Sequence, residues 1–181
     1  MIRLFFLLCF KLTGWTTKGV LPDEKKFVLI VAPHTSMWDY FVGLAGRSIF
    51  RLKSNFLVKD SLYKMPVVGW FLKVTGGYGV DRSKHSGMVD QAVDLFNKKE
   101  RFVLTITPEG TRSLVEKWRT GFYWTAVKAK VPIVMVGFDY ANKIVEMRPP
   151  FFPTGNIDQD MKTMMDYFRT IKGKHPEKGV L

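Results

Sequence analysis

Two stretches of this 181-residue chain carry side chains that can do acid–base and anion-binding chemistry. The first is Pro33-His34-Thr35-Ser36-Met37-Trp38-Asp39, which directly follows the most apolar run, Phe27-Val28-Leu29-Ile30-Val31-Ala32. With Ser36 as a helix cap, Asp39 falls at the third helical position, and its carboxylate can turn back to the imidazole of His34. A carboxylate held this way fixes the histidine tautomer and stabilises the imidazolium, making His34 a general base worth about 10²–10⁴ in rate. Taken alone, Ser36-x-x-Asp39 reads equally as a capping arrangement with His34 a hydrogen-bonded loop residue. The second stretch, Pro108-Glu109-Gly110-Thr111-Arg112, is a tight turn with an acid, a hydroxyl and a guanidinium, the last able to grip a phosphate with two parallel hydrogen bonds. Gly76-Gly77-Tyr78-Gly79-Val80-Asp81-Arg82 ends in a further guanidinium. Its glycines stand too far before the next helix for a phosphate-binding loop or a dinucleotide fingerprint, and they suit close approach of backbone or ligand.

These groups need strands and helices to hold them. Apolar runs predict strands over residues 26–32, 55–59, 101–107 and 132–138, with an edge strand over 143–148. Helical spacing predicts helices over 39–50, 86–99, 122–130 and 158–172. Strands alternating with helices predict an α/β fold: one domain with a mostly parallel central sheet flanked by helices. In such a sheet the His34 loop and the Arg112 turn share one edge, so a base and a phosphate-binding fork face one cleft. The expected division is an N-terminal apolar, interfacial segment over 1–25, a main domain over 26–172 and a mobile tail over 173–181.

The 28 Lys and Arg against 16 Asp and Glu give a net charge of +12, which favours an anionic partner: nucleic acid, an acidic lipid surface or a phosphorylated substrate. No stacking platform, basic recognition helix or zinc finger accompanies the charge, so no nucleic-acid partner is expected. With one cysteine, Cys9, and three histidines, no metal-ligand cluster is expected either. The chain is 46% hydrophobic with 15 Phe and 5 Trp, a composition that leans toward contact with lipid. The uninterrupted apolar run over residues 4–10 is far short of the ~20 residues that span a bilayer. Flanked by Arg3, Lys11 and Lys18, it reads as an interfacial, membrane-associating segment. Residues 62–74 are nearly all apolar, and a helix apolar all round is buried either in protein or in lipid.

Taken in order, these motifs resemble those of the glycerolipid acyltransferase family that includes the bacterial lysophosphatidic acid (1-acyl-sn-glycerol-3-phosphate) acyltransferases. His34-Thr35-Ser36-Met37-Trp38-Asp39 is similar to that family's His-x4-Asp motif, and residues 77–82 to its second motif, which ends in arginine. Pro108-Glu109-Gly110-Thr111-Arg112-Ser113 is similar to the third, and Val131-Pro132-Ile133-Val134 to the fourth. Two positions depart from the pattern: Pro33 stands where the family often has Asn, and Arg119 where it often has Lys, a planar fork in place of a point charge.

The resemblance implies acyl transfer from an acyl thioester, on coenzyme A or acyl carrier protein, to a lysolipid hydroxyl, 1-acyl-glycerol-3-phosphate first among acceptors. Another lysophospholipid or an amino-acid lipid is the alternative acceptor, and a catalytically silent lipid-binding relative the alternative class. His34 and Asp39 are then the catalytic residues. Arg82, Glu109, Gly110, Thr111, Arg112, Arg119 and Pro132 are the substrate-binding ones, with Pro132 and its strand shaping an acyl channel. The backbone amides of the 109–111 turn or of the helix start after His34 are candidates for an oxyanion hole. No bound cofactor is expected, only the thioester co-substrate. The expected setting is the cytoplasmic side of the cell membrane, with peripheral attachment to an anionic surface.

Overall fold

The computed structural model describes residues 2–81 and 87–181. The chain runs α1 (Ile2–Thr13), β1 (Thr16–Lys18), β2 (Lys26–Ala32), α2 (Trp38–Ile49), β3 (Phe56–Lys59), α3 (Asp60–Tyr63), α4 (Pro66–Thr75) and β4 (Gly77–Val80). It continues through α5 (Met88–Lys98), β5 (Phe102–Ile106), α6 (Gly121–Ala129), β6 (Ile133–Asp139), β7 (Ile144–Met147) and α7 (Ile157–Arg169), then ends in a 3₁₀ turn, Pro176–Lys178.

The most apolar segment, β2, sits at the heart of a five-stranded sheet of order β1-β7-β6-β2-β5. It pairs in parallel with β5 on one side and β6 on the other, so that Ile30 faces Ile106 and Met135 across the two ladders. A strand covered on both faces reads as a continuous apolar run, and its side chains divide by alternation. Val28, Ile30 and Ala32 point to one layer, where α5, α6 and α7 contribute Phe96, Phe122, Tyr123 and Phe168. Leu29 and Val31 point to the other, with Phe10 of α1, Ala45 and Ile49 of α2, and Val145 and Met147 of β7. Full burial of a Val or Ile side chain is worth roughly 1.5–3 kcal/mol, so the β2 run alone is a large part of what holds the layers together.

The expected α/β domain with a mostly parallel sheet is therefore observed, with β7 the antiparallel exception against β6. Residues 143–148 were expected at an edge, but β1 pairs outside β7, Thr16 opposite Ile144. Its sequence, Thr-Thr-Lys, has too little apolar alternation to announce a strand. A separate parallel pair, β3 and β4, attaches through Asn55, whose backbone bridges Leu104 of β5.

Residues 62–74 form no buried core helix. The segment breaks at Met65, where Pro66 opens α4 without needing an amide partner. Gly69 is the one buried residue of α4, while Val67 and Trp70 are 79% and 65% exposed. The outer face of α1 is similarly apolar and open, with Leu4, Phe5, Leu8 and Leu12 all exposed. Among the described residues no helix is long and apolar enough to cross a membrane. Residues 173–181, expected as a mobile tail, fold back onto the domain. His175 N donates to Thr35 Oγ1 (3.2 Å), Lys174 Nζ lies 4.6 Å from the Trp38 ring centre, and Arg169 Nε donates to the Leu181 carbonyl (2.6 Å).

Candidate active site

The C-terminal ends of three adjacent parallel strands, β5, β2 and β6, release Glu109, His34 and Tyr140 at one edge of the sheet. Chain order switches across β2 here, and side chains from the loops on either side of such a point meet in a crevice.

His34 Nδ1 lies 3.0 Å from Asp39 Oδ2. The same oxygen accepts the backbone N–H groups of Thr35 (2.8 Å) and Ser36 (2.9 Å), while Asp39 Oδ1 accepts the Tyr140 hydroxyl (2.7 Å). The helix starts one residue later than the capping pattern predicts. Ser36 Oγ accepts Trp38 N (3.2 Å), and Asp39 sits at the second helical position with its carboxylate turned back over the loop. The Asp39 side chain is 2% exposed and that of His34 26%, so the pair is buried at the carboxylate and open at the ring. Burial pushes the Asp39 carboxyl up, but hydrogen bonds from His34, Ser36 N, Tyr140 and Thr35 N outweigh it and hold the group below its ordinary value. An ionised Asp39 fixes the His34 proton on Nδ1 and leaves Nε2 free to take one.

Glu109 is buried at the end of the β5 turn. Its Oε1 accepts His34 N at 3.0 Å, tying the two loops together, and its Oε2 has no hydrogen-bond partner among the described residues. Burial raises the Glu109 carboxyl above its usual range, against the hydrogen bond from His34 N. Gly110 sits at φ +66°, and a Cβ there would lie 2.9 Å from Arg119 Nε, so the glycine lets that guanidinium close against the turn.

Beneath the His34 loop a cavity of about 500 Å³ opens between α2 and the sheet. Its wall combines His34, Asp39 and Arg112 with Val31, Val136, Phe138 and Met147. On α2, Gly43 and Gly46 face the sheet; Cβ atoms there would stand 3.3 Å from Phe138 Cζ and 3.1 Å from Val145 Cγ1. These glycines let the helix approach Phe138 and Val145 more closely than a residue with a Cβ could. Arg47, whose guanidinium burial lowers its pKa, donates to the Thr75 carbonyl (2.9 Å) and ties α2 to the end of α4.

An imidazole held by a carboxylate, a second buried carboxyl and a guanidinium thus stand around an apolar slot. A family model described as Acyltransferase matches residues 16–139. The chain belongs to the Acyltransferase family. It is similar to the 1-acyl-sn-glycerol-3-phosphate acyltransferase of Saccharomyces cerevisiae, 32% identical over 142 residues that cover 72% of this chain and 45% of that protein. The protein of that name from Streptococcus pneumoniae is 24% identical over 120 residues, 65% of this chain and 44% of its own. The chain thus spans about half the length of the curated relatives it matches. Its fold is like that of PlsC, the 1-acyl-sn-glycerophosphate (LPA) acyltransferase from Thermotoga maritima. The TM-score is 0.63 at 20% identity, covering 92% of this chain and 74% of that one.

In this Acyltransferase family member His34, Asp39, Glu109 and Arg112 converge on the crevice, and Gly110 and Arg119 form the turn beside it. Thr111 is exposed on that turn, its Oγ1 accepting Ser113 N (3.3 Å). Arg82 lies outside the described residues. Pro132 is not at the site: it precedes β6 at the opposite end of the sheet, its carbonyl accepting Val28 N (3.0 Å), about 13 Å of strand from the Ala32 end. The cavity wall comes instead from the far half of β6, Val136 and Phe138. The amides expected for an oxyanion hole are largely engaged: those of Thr35 and Ser36 by Asp39, Trp38 by Ser36 and Gly110 by the Thr107 carbonyl. Tyr140 and the α2 glycines had no signal in the motif pattern. Tyr140 stands 101 residues from the carboxylate it meets.

Proposed function

We propose that this protein transfers a fatty acyl group from an acyl thioester to the free hydroxyl of a lysolipid phosphate, with 1-acyl-glycerol-3-phosphate the acceptor. The observation that carries the reading is the Asp39-held His34 at the mouth of an apolar cavity that also holds Arg112. An alcohol is a poor nucleophile at neutral pH, so a base must remove its proton during attack. His34 Nε2 takes that proton as the hydroxyl oxygen bonds to the thioester carbonyl carbon, and Asp39 balances the imidazolium. Collapse of the tetrahedral intermediate breaks the carbon–sulfur bond, and the departing sulfur takes the proton back from His34. The products are an ester and a free thiol; no covalent enzyme intermediate and no cofactor enters, only the thioester, on coenzyme A or acyl carrier protein.

Arg112 is suited to the acceptor phosphate, a role the motif pattern also gives Arg82. The unpartnered Oε2 of buried Glu109 is suited to an acceptor hydroxyl. The cavity is suited to an acyl chain, whose methylenes are each worth about 0.8 kcal/mol when buried. The apolar faces of α1 and α4, with Met37, Trp38 and Phe41 exposed at the start of α2 beside the crevice, support interfacial attachment to an anionic leaflet. Lys11, Lys59, Lys64 and Lys73 then lie at headgroup level, and we assign the protein to the cytoplasmic side of the cell membrane.

The test is acyl transfer from a radiolabelled acyl thioester to lysolipids with and without phosphate, wild type beside His34→Ala. Labelled phosphatidate formed by the wild type alone is the expected result. Vesicle binding without acylation of any acceptor would replace this reading with that of a silent lipid binder.

A further inference from the structure

The Asp39 carboxylate has a second partner besides His34 that no motif contains, and that partner is built into the fold with unusual care. Tyr140 follows the last residue of β6, one strand over from the His34 loop. Three contacts fix it. Asp139 closes the turn beneath it by accepting the amides of Ala141 (3.0 Å) and Asn142 (3.2 Å). Tyr140's own amide donates to the Lys172 carbonyl (2.8 Å), and its ring stands edge-on to Trp15, centroids 5.0 Å apart at 90°. Trp15 is in turn packed on Phe10 at the end of α1 (5.9 Å), with its amide on the Phe10 carbonyl (2.8 Å).

We propose that Tyr140 is a positioning residue for the His34–Asp39 pair, its hydroxyl pinning Asp39 Oδ1 so that Oδ2 is presented to the imidazole, with Trp15 backing it from the link between α1 and β1. A buried carboxylate with one oxygen unpartnered takes up a proton more readily; the fourth donor, on Oδ1, completes its hydrogen bonding and favours the ionised form. Burial and then the Asp39 carboxylate push the Tyr140 phenol far above its ordinary value, so it remains a neutral donor throughout the working range. The titratable groups facing Asp39 are His34 from the β2 loop, Tyr140 from the β6 end and Glu109 from the β5 turn.

The rate readout rests on the acyl-transfer reading; the second readout does not. Tyr140→Phe keeps the ring and its packing on Trp15 and deletes the donor. We expect kcat to fall about tenfold with the KM of both substrates unchanged, while the acid limb of the kcat/KM profile moves up by about half a pH unit or more. Removing a donor from the carboxylate lets the His34–Asp39 pair take its first proton at higher pH. An NMR titration of the His34 ring in ligand-free protein must show the same displacement, whether or not any acceptor is turned over. Trp15→Leu keeps the hydroxyl but loosens its support and moves both readouts the same way by less. A Tyr140→Phe enzyme at wild-type rate, or one that loses rate with an unmoved titration midpoint, overturns the proposal.

Discussion

Replacing Asp39 by Asn tests the site at the level of single atoms, because the structure says which way the amide must face. Oδ2 accepts two backbone N–H groups, from Thr35 and Ser36, and these can only donate; the asparagine carbonyl oxygen must therefore take that position. The amide nitrogen then faces Tyr140, whose hydroxyl can turn and accept. His34 Nδ1 still meets an oxygen and keeps its proton, so the working tautomer survives and only the charge is lost. Hydrogen bonds to a charged group are worth about 1.5–3 kcal/mol against about 0.5–1.5 for neutral ones, so stabilisation of the imidazolium drops by roughly 1–2 kcal/mol. That corresponds to about a five- to thirtyfold loss in kcat, against about 10⁴ where the amide nitrogen meets the ring. Asp39→Ala removes the acceptor altogether, orphans two buried amides and frees the ring, so its loss should be about 10³-fold or more. The assay is thiol release from acyl-coenzyme A with lysophosphatidate, reading kcat and both KM values beside His34→Ala. An Asn variant as inactive as His34→Ala would show that the amide faces the other way and refute the reasoning. One within twofold of wild type would show that the charge does nothing.

Two further predictions concern stability and attachment. Burial raises the Glu109 carboxyl above its ordinary value near 4.5, so its contribution to stability is fully present below that pH and lost as pH rises through the raised folded value. Glu109→Gln removes this loss, so its Tm relative to wild type should improve as pH rises from about 4.5 and level off once the wild-type carboxyl is ionised, with activity reduced; a pH-independent difference in Tm would show that Glu109 is not strained by ionisation. On α4, Trp70 and Phe71 are half-exposed or more and touch no core, so Trp70→Glu with Phe71→Glu should leave Tm unchanged while vesicle flotation on anionic lipid falls about tenfold or more. Unchanged flotation would move the contact to another surface.

What was legible in the sequence followed from local rules. The bounds of β2 can be read from its apolar run, and Asp39 can be placed near His34 because both lie within one strand-to-helix turn. The meeting of Glu109 with His34 needed one more assumption, that two apolar strands are parallel neighbours, and the register of β2 against β5 supplies it. Features that depend on a third strand were out of reach. Which end of β6 faces the crevice decides that Val136 and Phe138 line the cavity while Pro132 lies far away. That follows from strand direction and position, not from the Val-Pro-Ile-Val motif itself. The short strand β1 has almost no apolar signal, and its place is set by backbone pairing to β7 and by the Lys18–Glu146 ion pair (3.0 Å).

The two layers of the sheet divide the work of the molecule. On the α5–α6–α7 face, aromatic rings fill the space against Val28 and Ile30, and Tyr123 closes the packing with a buried hydrogen bond to Asp160 (2.9 Å). On the α1–α2 face the same strand meets a helix whose inward positions include Gly43 and Gly46, and close packing gives way to a cavity of about 500 Å³. Glycine inside a helix costs roughly 0.5–1 kcal/mol each relative to alanine, and the empty volume forgoes contact energy besides. That cost accompanies a close approach of the helix to Phe138 and Val145, which the Cβ of an alanine would crowd. The well-packed face offsets this loss, which is why one sheet can carry a stable core on one side and an acyl-sized space beside His34 on the other.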